Sequence, residues 1–181
     1  MPEEILLLKL VCQKLEESHI PYMLTGSFAA NFYAVPRMTR DIDIVIEMGK
    51  FDINKFCKYF ENDFYLSKPS IEAAVEHESL FNIIHNHSMF KIDFIVRKDS
   101  TYRDIEFKRR KRIDLDGTKI SIVSPEDLII SKLFWAKDSF SDLQLRDVQN
   151  LRSTIKNLDE QYIELWVKKL DLETVYKKVK S

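Results

Sequence analysis

Apolar residues recur at helical spacing over residues 3–18, where Ile5, Leu8, Val11, Cys12 and Leu15 predict an amphipathic helix. Pro21 ends it, and Tyr22-Met23-Leu24 predicts a short buried strand running into Gly26. From Ser27 the run Phe-Ala-Ala-Asn-Phe-Tyr is helix-like until Pro36 stops it. The period then changes. From Asp41 to Glu47 positions alternate strictly, with Ile42, Ile44 and Ile46 on one face and Asp41, Asp43 and Val45 on the other. That predicts a strand with an apolar core face and an opposite face that turns polar at its beginning.

A second amphipathic helix is expected over 51–61, then a short strand mixed with a helix between Phe64 and Glu78. Leu80–Ile84 and Met89–Val96 read as strands joined by a turn at His85–Ser88. Asp116-Gly117 is a hairpin signal, with Ile113 and Leu115 on one side and Ile120, Ile122 and Val123 on the other. After it the pattern becomes helical. Ser124 as N-cap, Pro125 at the first helical position and Glu126-Asp127 in the first turn mark a helix start. Helices are expected over 125–137, 141–156, 158–169 and 171–178, with Leu133, Phe134, Trp135, Tyr162, Leu165 and Trp166 in the core. The reading is an α/β (α+β) unit over 1–123 and a C-terminal helical subdomain over 124–181 packed on it.

Composition narrows the classes. Hydrophobic residues make up 45% of the 181, enough for a well-packed core. A formal net charge of -1 gives no global attraction to nucleic acid or to an anionic membrane, so polyanion binding must come from local patches. The one dense basic run is Lys108-Arg109-Arg110-Lys111-Arg112, which reads as a solvated face or a track for a nucleic-acid backbone. Cys12 and Cys57 have no metal-ligand spacing and read as buried free thiols. His85 and His87 flank a turn without a cysteine partner, which favours solvent over zinc. The first residues lack a signal-peptide pattern, and no apolar stretch approaches the ~20 residues that span a bilayer, so a cytoplasmic protein with no membrane partner is expected.

Chemistry concentrates between Thr25 and Val45. Asp41 and Asp43 lie two apart on a strand and point the same way, so both can reach one ion. Hard oxygen ligands suit Mg²⁺, which keeps water and recruits substrate phosphates. Asp93 interrupts the apolar run Ile92-Asp93-Phe94-Ile95-Val96, where an ionised side chain is costly unless paired or metal-bound. As a third carboxylate it would allow a two-ion site. At Gly26-Ser27 a missing side chain and free helix N–H groups offer a seat for phosphate. Arg37 and Arg40 stand ready to neutralise a triphosphate. Each fragment alone has an ordinary reading as turn, cap, strand end or surface ion pair; their order and spacing make the case for a metal-bound nucleoside triphosphate.

Gly26-Ser27, a short helix, Asp41-Ile42-Asp43 and a later Asp93 together resemble the nucleotidyltransferase superfamily that includes DNA polymerase beta. Tyr33, Pro36-Arg37, Thr39 and Arg40 bring the resemblance closer to small bacterial members. Ser124-Pro125-Glu126-Asp127-Leu128 with Lys132 resembles the third motif of the abortive-infection, AbiEii-like enzymes, and Arg146-Asp147-Val148-Gln149-Asn150-Leu151 resembles their fourth. The resemblance implies a mixed sheet flanked by helices and an Mg²⁺-dependent transfer of a nucleoside monophosphate, for example from ATP, to an acceptor hydroxyl with release of pyrophosphate. It implies Asp41, Asp43 and Asp93 as catalytic and metal-binding residues, Asp93 assisting deprotonation of the acceptor. It adds Lys132 and Asp147 to Gly26, Ser27, Arg37 and Arg40 on the nucleotide side. Bland alternatives remain for two of these: Lys132 as a solvent-facing lysine and Asp147 as a partner of Arg146 or of a neighbouring helix. The acceptor is open between RNA, as in toxin-like members, a small molecule and a cognate partner protein, with a catalytically idle nucleotide-binding or antitoxin-like module as the alternative.

Overall fold

The computed structural model describes residues 2–39, 41–139 and 141–180, the last two positions of the middle stretch by backbone alone. The chain opens with α1 (Glu3–Glu17), β1 (Tyr22–Thr25), α2 (Gly26–Tyr33) and β2 (Asp41–Ile46). There follow α3 (Ile53–Phe60), β3 (Phe64–Tyr65), α4 (Lys68–Glu76), β4 (Leu80–His85) and β5 (Lys91–Val96). Next come α5 (Thr101–Lys108), β6 (Lys111–Leu115) and β7 (Thr118–Ile122). Thereafter the elements are helical: α6 (Pro125–Ser139), α7 (Asp142–Thr154), α8 (Glu160–Lys169) and α9 (Glu173–Lys177).

The seven strands form one mixed sheet in the order β3-β4-β5-β2-β1-β7-β6. The β2–β5 and β1–β7 pairs are parallel and the others antiparallel. Central position follows from sequence: β2 and β5 carry the apolar runs Ile-Asp-Ile-Val-Ile and Ile-Asp-Phe-Ile-Val, suited to a strand covered on both faces. Phe94 of β5 meets Phe56 and Phe60 of α3 and Phe81 of β4 at centroid distances of 5.2, 5.9 and 5.3 Å, which locks α3 onto the sheet. The expected hairpin forms at Asp116-Gly117, both at positive φ (47° and 83°), as a two-residue turn requires. A single hydrophobic core runs from Leu8 and Ile44 through Leu128 and Ile130 of α6 to Val167 and Val175. Both Cys12 and Cys57 are buried free thiols. No helix among the described residues is long and apolar enough to cross a membrane.

Three expectations change. Helix α5 is absent from the sequence reading because its inward side is partly charged: Glu106 is buried, bonded to Arg103 Nη1 (2.8 Å) and Ser131 Oγ (2.5 Å). The basic run is a solvated face only in part: Lys108, Lys111 and Arg112 are exposed, whereas Arg109 and Arg110 are half-buried. Arg109 binds Asp127 (2.9 Å), Arg110 donates to the Phe107 carbonyl (2.6 Å), Lys108 pairs with Asp104 (2.7 Å), and Arg112 binds Glu16 and Ser121. Finally, Leu133 is buried but Phe134 and Trp135 are 40% and 59% exposed, and Leu165 is exposed while Trp166 is buried. Successive helical residues lie about 100° apart and cannot all face one core.

Candidate active site

Strand pairing assembles the carboxylates. Across the parallel β2–β5 pair Asp43 registers with Asp93 and Asp41 with Lys91. Residues two apart share a face, so Asp41, Asp43, Asp93 and Lys91 all gather at one end of one face of the sheet. Asp41 is exposed, Asp43 half-buried and Asp93 buried. Loss of solvent, then the charges of Asp93 and Asp41, push the Asp43 carboxyl up to about 6. Lys91 Nζ lies 2.9 Å from Asp93 Oδ2 and 4.0 Å from Asp41 Oδ1, and the Asp93 hydrogen bond raises its pKa.

The second Asp93 oxygen, Oδ1, is buried with no hydrogen-bond partner among the described residues. An orphaned buried acceptor costs about 1–3 kcal/mol, more when charged. Crowded like charges, hard oxygen donors and an unused buried carboxylate oxygen all suit a divalent cation of the Mg²⁺ type. The side chains are not closed into a ready-made cluster: among the described residues no three His, Cys, Asp or Glu converge on one point. Lys91 stands among the carboxylates instead.

Gly26 closes the floor. Its φ is +65°, and a Cβ added there would sit 2.0 Å from Asp43 Oδ2. Only glycine satisfies both the left-handed backbone and the close approach. Thr25, which registers with Asp43 across β1–β2, gives no side-chain cap to α2. The first N–H groups of α2 therefore remain available beside the carboxylates.

A second cluster faces this turn. Arg37 Nη2 donates to Ser27 Oγ (2.6 Å), and Arg37 grips Asp147 through Nε (2.8 Å) and Nη2 (2.9 Å). Lys132 Nζ donates to the same carboxylate (2.7 Å) and to Gln144 Oε1 (3.1 Å). The Asn31 side-chain amide pins the Arg37 backbone through its N–H and carbonyl (3.0 and 2.7 Å). Burial opposes ionisation of Asp147, yet the hydrogen bonds from Arg37 and Lys132 win and hold its carboxyl below the usual range. Burial pulls the Lys132 ammonium down against that carboxylate. Two cations share one anion, which leaves positive charge beside the α2 N-terminus.

Lys132 is thus buried, 3% exposed, and is not a solvent-facing lysine; Asp147 pairs with Arg37 and, as the neighbouring-helix alternative expected, with Lys132 of α6, rather than with Arg146. Gly26, Ser27, Arg37, Lys132 and Asp147 form one contact chain beside Asp41, Asp43 and Asp93; Arg40 lies outside the described residues. Sequence reasoning missed Lys91 and Gln144. Lys91 was findable, since it lies two residues before Asp93 on the same strand face. Gln144 carried no signal. The His85 ring is taken up by its own turn, with Nδ1 2.7 Å from Ser88 Oγ.

No family model matches the chain, and no curated protein matches it in sequence. Solved structures do match its fold, and several are nucleotidyltransferases or nucleotidyltransferase-like proteins. An antigenic nucleotidyltransferase-like protein from Paracoccidioides brasiliensis is 18% identical with a TM-score of 0.60, over 96% of this chain and 91% of that one. The antibiotic-resistance factor ANT(2'')-Ia, solved with adenylyl-2''-tobramycin, is 12% identical with a TM-score of 0.60, over 96% and 99%. A lincomycin-bound lincosamide antibiotic adenylyltransferase is 16% identical with a TM-score of 0.56, over 86% and 99%. At these identities the likeness is one of fold: a mixed seven-stranded sheet flanked by helices, of nucleotidyltransferase type.

Proposed function

We propose that the chain is a divalent-metal-dependent nucleotidyltransferase that moves a nucleoside monophosphate, such as AMP from ATP, to an acceptor hydroxyl and releases pyrophosphate. The observation that carries this reading is the seating of Gly26 against Asp43, which sets the α2 N-terminus directly beside a carboxylate that shares its sheet face with Asp41 and Asp93. The fold likeness supports it. Asp41, Asp43 and the free oxygen of Asp93 would hold Mg²⁺; the bound ion would neutralise phosphate charge and acidify a coordinated hydroxyl.

The protein's own groups do the rest. Gly26 admits a phosphate to the backbone, and the α2 N–H groups with Ser27 Oγ donate to it. Arg37 and Lys132 balance the triphosphate, while Asp147 positions both cations by its three hydrogen bonds. Arg40, next to Asp41 in sequence, adds to that balance. Asp93 assists deprotonation of the acceptor hydroxyl, whose proton passes to solvent. The acceptor oxygen then bonds to the α-phosphorus in line with the breaking α–β bridge, and pyrophosphate leaves. Such catalysis rests on positioning and fixed charge. The helices from residue 124 onward, read as a subdomain, supply Lys132 and Asp147 and so form the second wall of the cleft.

For the acceptor, the AbiEii-like motifs favour RNA and a toxin-like role with a cognate partner protein. A specific observation favours a small hydroxylated molecule: Arg109 and Arg110 at the centre of the basic run are half-buried and bound internally. One neighbour of nearly full coverage is a lincosamide antibiotic adenylyltransferase, and another was solved with adenylyl-2''-tobramycin. Incubating the full chain and Mg²⁺ with labelled nucleoside triphosphates, and a panel of tRNA, lysate proteins and aminoglycosides, decides among these acceptors. Asp43→Asn should lose at least ~100-fold in transfer rate while keeping its far-UV spectrum. Transfer at the parental rate in that variant would overturn the assignment.

A further inference from the structure

Lys91 is placed among the carboxylates by the same alternation that gathers them. It lies opposite Asp41 in the β2–β5 register and two residues before Asp93 on β5. Its ammonium divides Asp93: Oδ2 is taken at 2.9 Å, and Oδ1 is buried and unused. The other reach of the ammonium is toward Asp41 Oδ1 at 4.0 Å. A surface lysine pairing with exposed carboxylates contributes little and spreads among rotamers. This one binds a carboxylate whose side chain is only 10% exposed, at the position where an added cation would bridge β2 and β5. Among the described residues, both ion pairs of Lys91 are with this carboxylate group.

Charge balance follows. Three carboxylates on one face of the sheet, once drawn together by metal, invite two divalent ions, as two-metal phosphoryl-transfer sites show. An ammonium fixed between two of them leaves a surplus that one divalent ion closes. It also raises the electrostatic cost of bringing a second dication within a few ångströms. We propose that Lys91 is a built-in counter-ion that takes the place of a second cation, so that the cleft binds one divalent ion where its three carboxylates would otherwise accept two. The inference rests on the metal-dependent reading above and narrows it: Lys91 is a positioning residue that sets metal occupancy.

Mn²⁺ alone, titrated into the full chain and followed by the electron paramagnetic resonance signal of the free ion, counts the sites without any turnover. The wild type should bind one Mn²⁺, and Lys91→Met, which keeps the apolar stem and removes the charge, should bind two. Lys91→Gln is a second variant with the same expected count. Both variants should keep the parent's circular dichroism, while their metal-free melting points fall somewhat, because Asp93, with a side chain 10% exposed, loses its ammonium partner. One ion in parent and variants, or two in all three, overturns the counter-ion role while leaving the metal site standing. No ion in any of them, with Asp43→Asn indistinguishable from parent, removes the metal reading and the inference together.

Discussion

At the scale of single residues, the three glycines separate two effects that are usually confounded. Gly117 sits at φ +83° with nothing within 4 Å of a notional Cβ, so Gly117→Ala probes backbone strain alone. Gly49 has an ordinary backbone and a nearest atom at 3.8 Å, so Gly49→Ala should be neutral within about 0.5 kcal/mol. Gly26 combines φ +65° with a 2.0 Å collision against Asp43 Oδ2. Gly117→Ala should cost about 1 kcal/mol in urea melts and Gly26→Ala distinctly more, with transfer lost as Asp43 is pushed aside. Adding Asp43→Ala to Gly26→Ala should recover the excess but not the activity; additive costs in that double variant would refute direct contact. The sequence shows Gly26 as unusual because glycine is scarce. It does not show the contact, which arises because β1 pairs with β2 and puts Thr25 opposite Asp43. A cross-strand register is invisible to local spacing.

At the scale of elements, α5, α6 and α8 meet on one buried carboxylate. Asp127 is fully buried and accepts from Ser124 Oγ (2.6 Å), Tyr162 Oη (2.6 Å), Arg109 Nε (2.9 Å) and Tyr102 Oη (3.3 Å). The Arg109 guanidinium also lies 3.9 Å over the Tyr162 ring. The helix start at Ser124-Pro125 was legible as a cap. That its acidic first turn ties three helices was not, because the donors lie 18 and 35 residues away from Asp127. The same blindness hid α5, whose buried side carries Glu106. Asn at 127 keeps the shape but turns an amide toward donors, stranding Arg109. Breaking one side of such a pair costs about 3–5 kcal/mol when fully buried, and about 2–3 here because Arg109 is partly solvated. Chemical denaturation of Asp127→Asn should show that loss, with Mn²⁺ binding intact; a loss under 1 kcal/mol would mean that the junction is held by apolar packing alone.

At the scale of the molecule, the sheet brings three carboxylates and α6 and α7 bring Lys132 and Asp147, with Arg37 tying the two sides. The strand order needed for this was out of reach of the sequence, yet its ingredients were not: alternation placed Asp41 with Asp43, and an aspartate in an apolar strand singled out Asp93. Lys132 and Asp147 became evident through motif resemblance rather than periodicity, since a buried lysine on an apolar helix leaves no pattern of its own. A ligand with a dication at one end and polyphosphate at the other would touch both sides at once, so its binding energy should appear as resistance to unfolding. At a hundred times its dissociation constant a ligand adds about 2.7 kcal/mol, or roughly 5–11 °C in Tm for a chain of this size. Mg²⁺ with a non-hydrolysable nucleoside triphosphate should raise the melting temperature by that order, whereas either component alone should fall well short. Asp41→Asn should abolish the synergy without lowering the ligand-free melting temperature, because Asp41 is exposed and its removal relieves crowding at Asp43. Equal shifts in that variant and in the parent would show that the nucleotide binds without the carboxylates, and would leave the idle-module reading as the one to pursue.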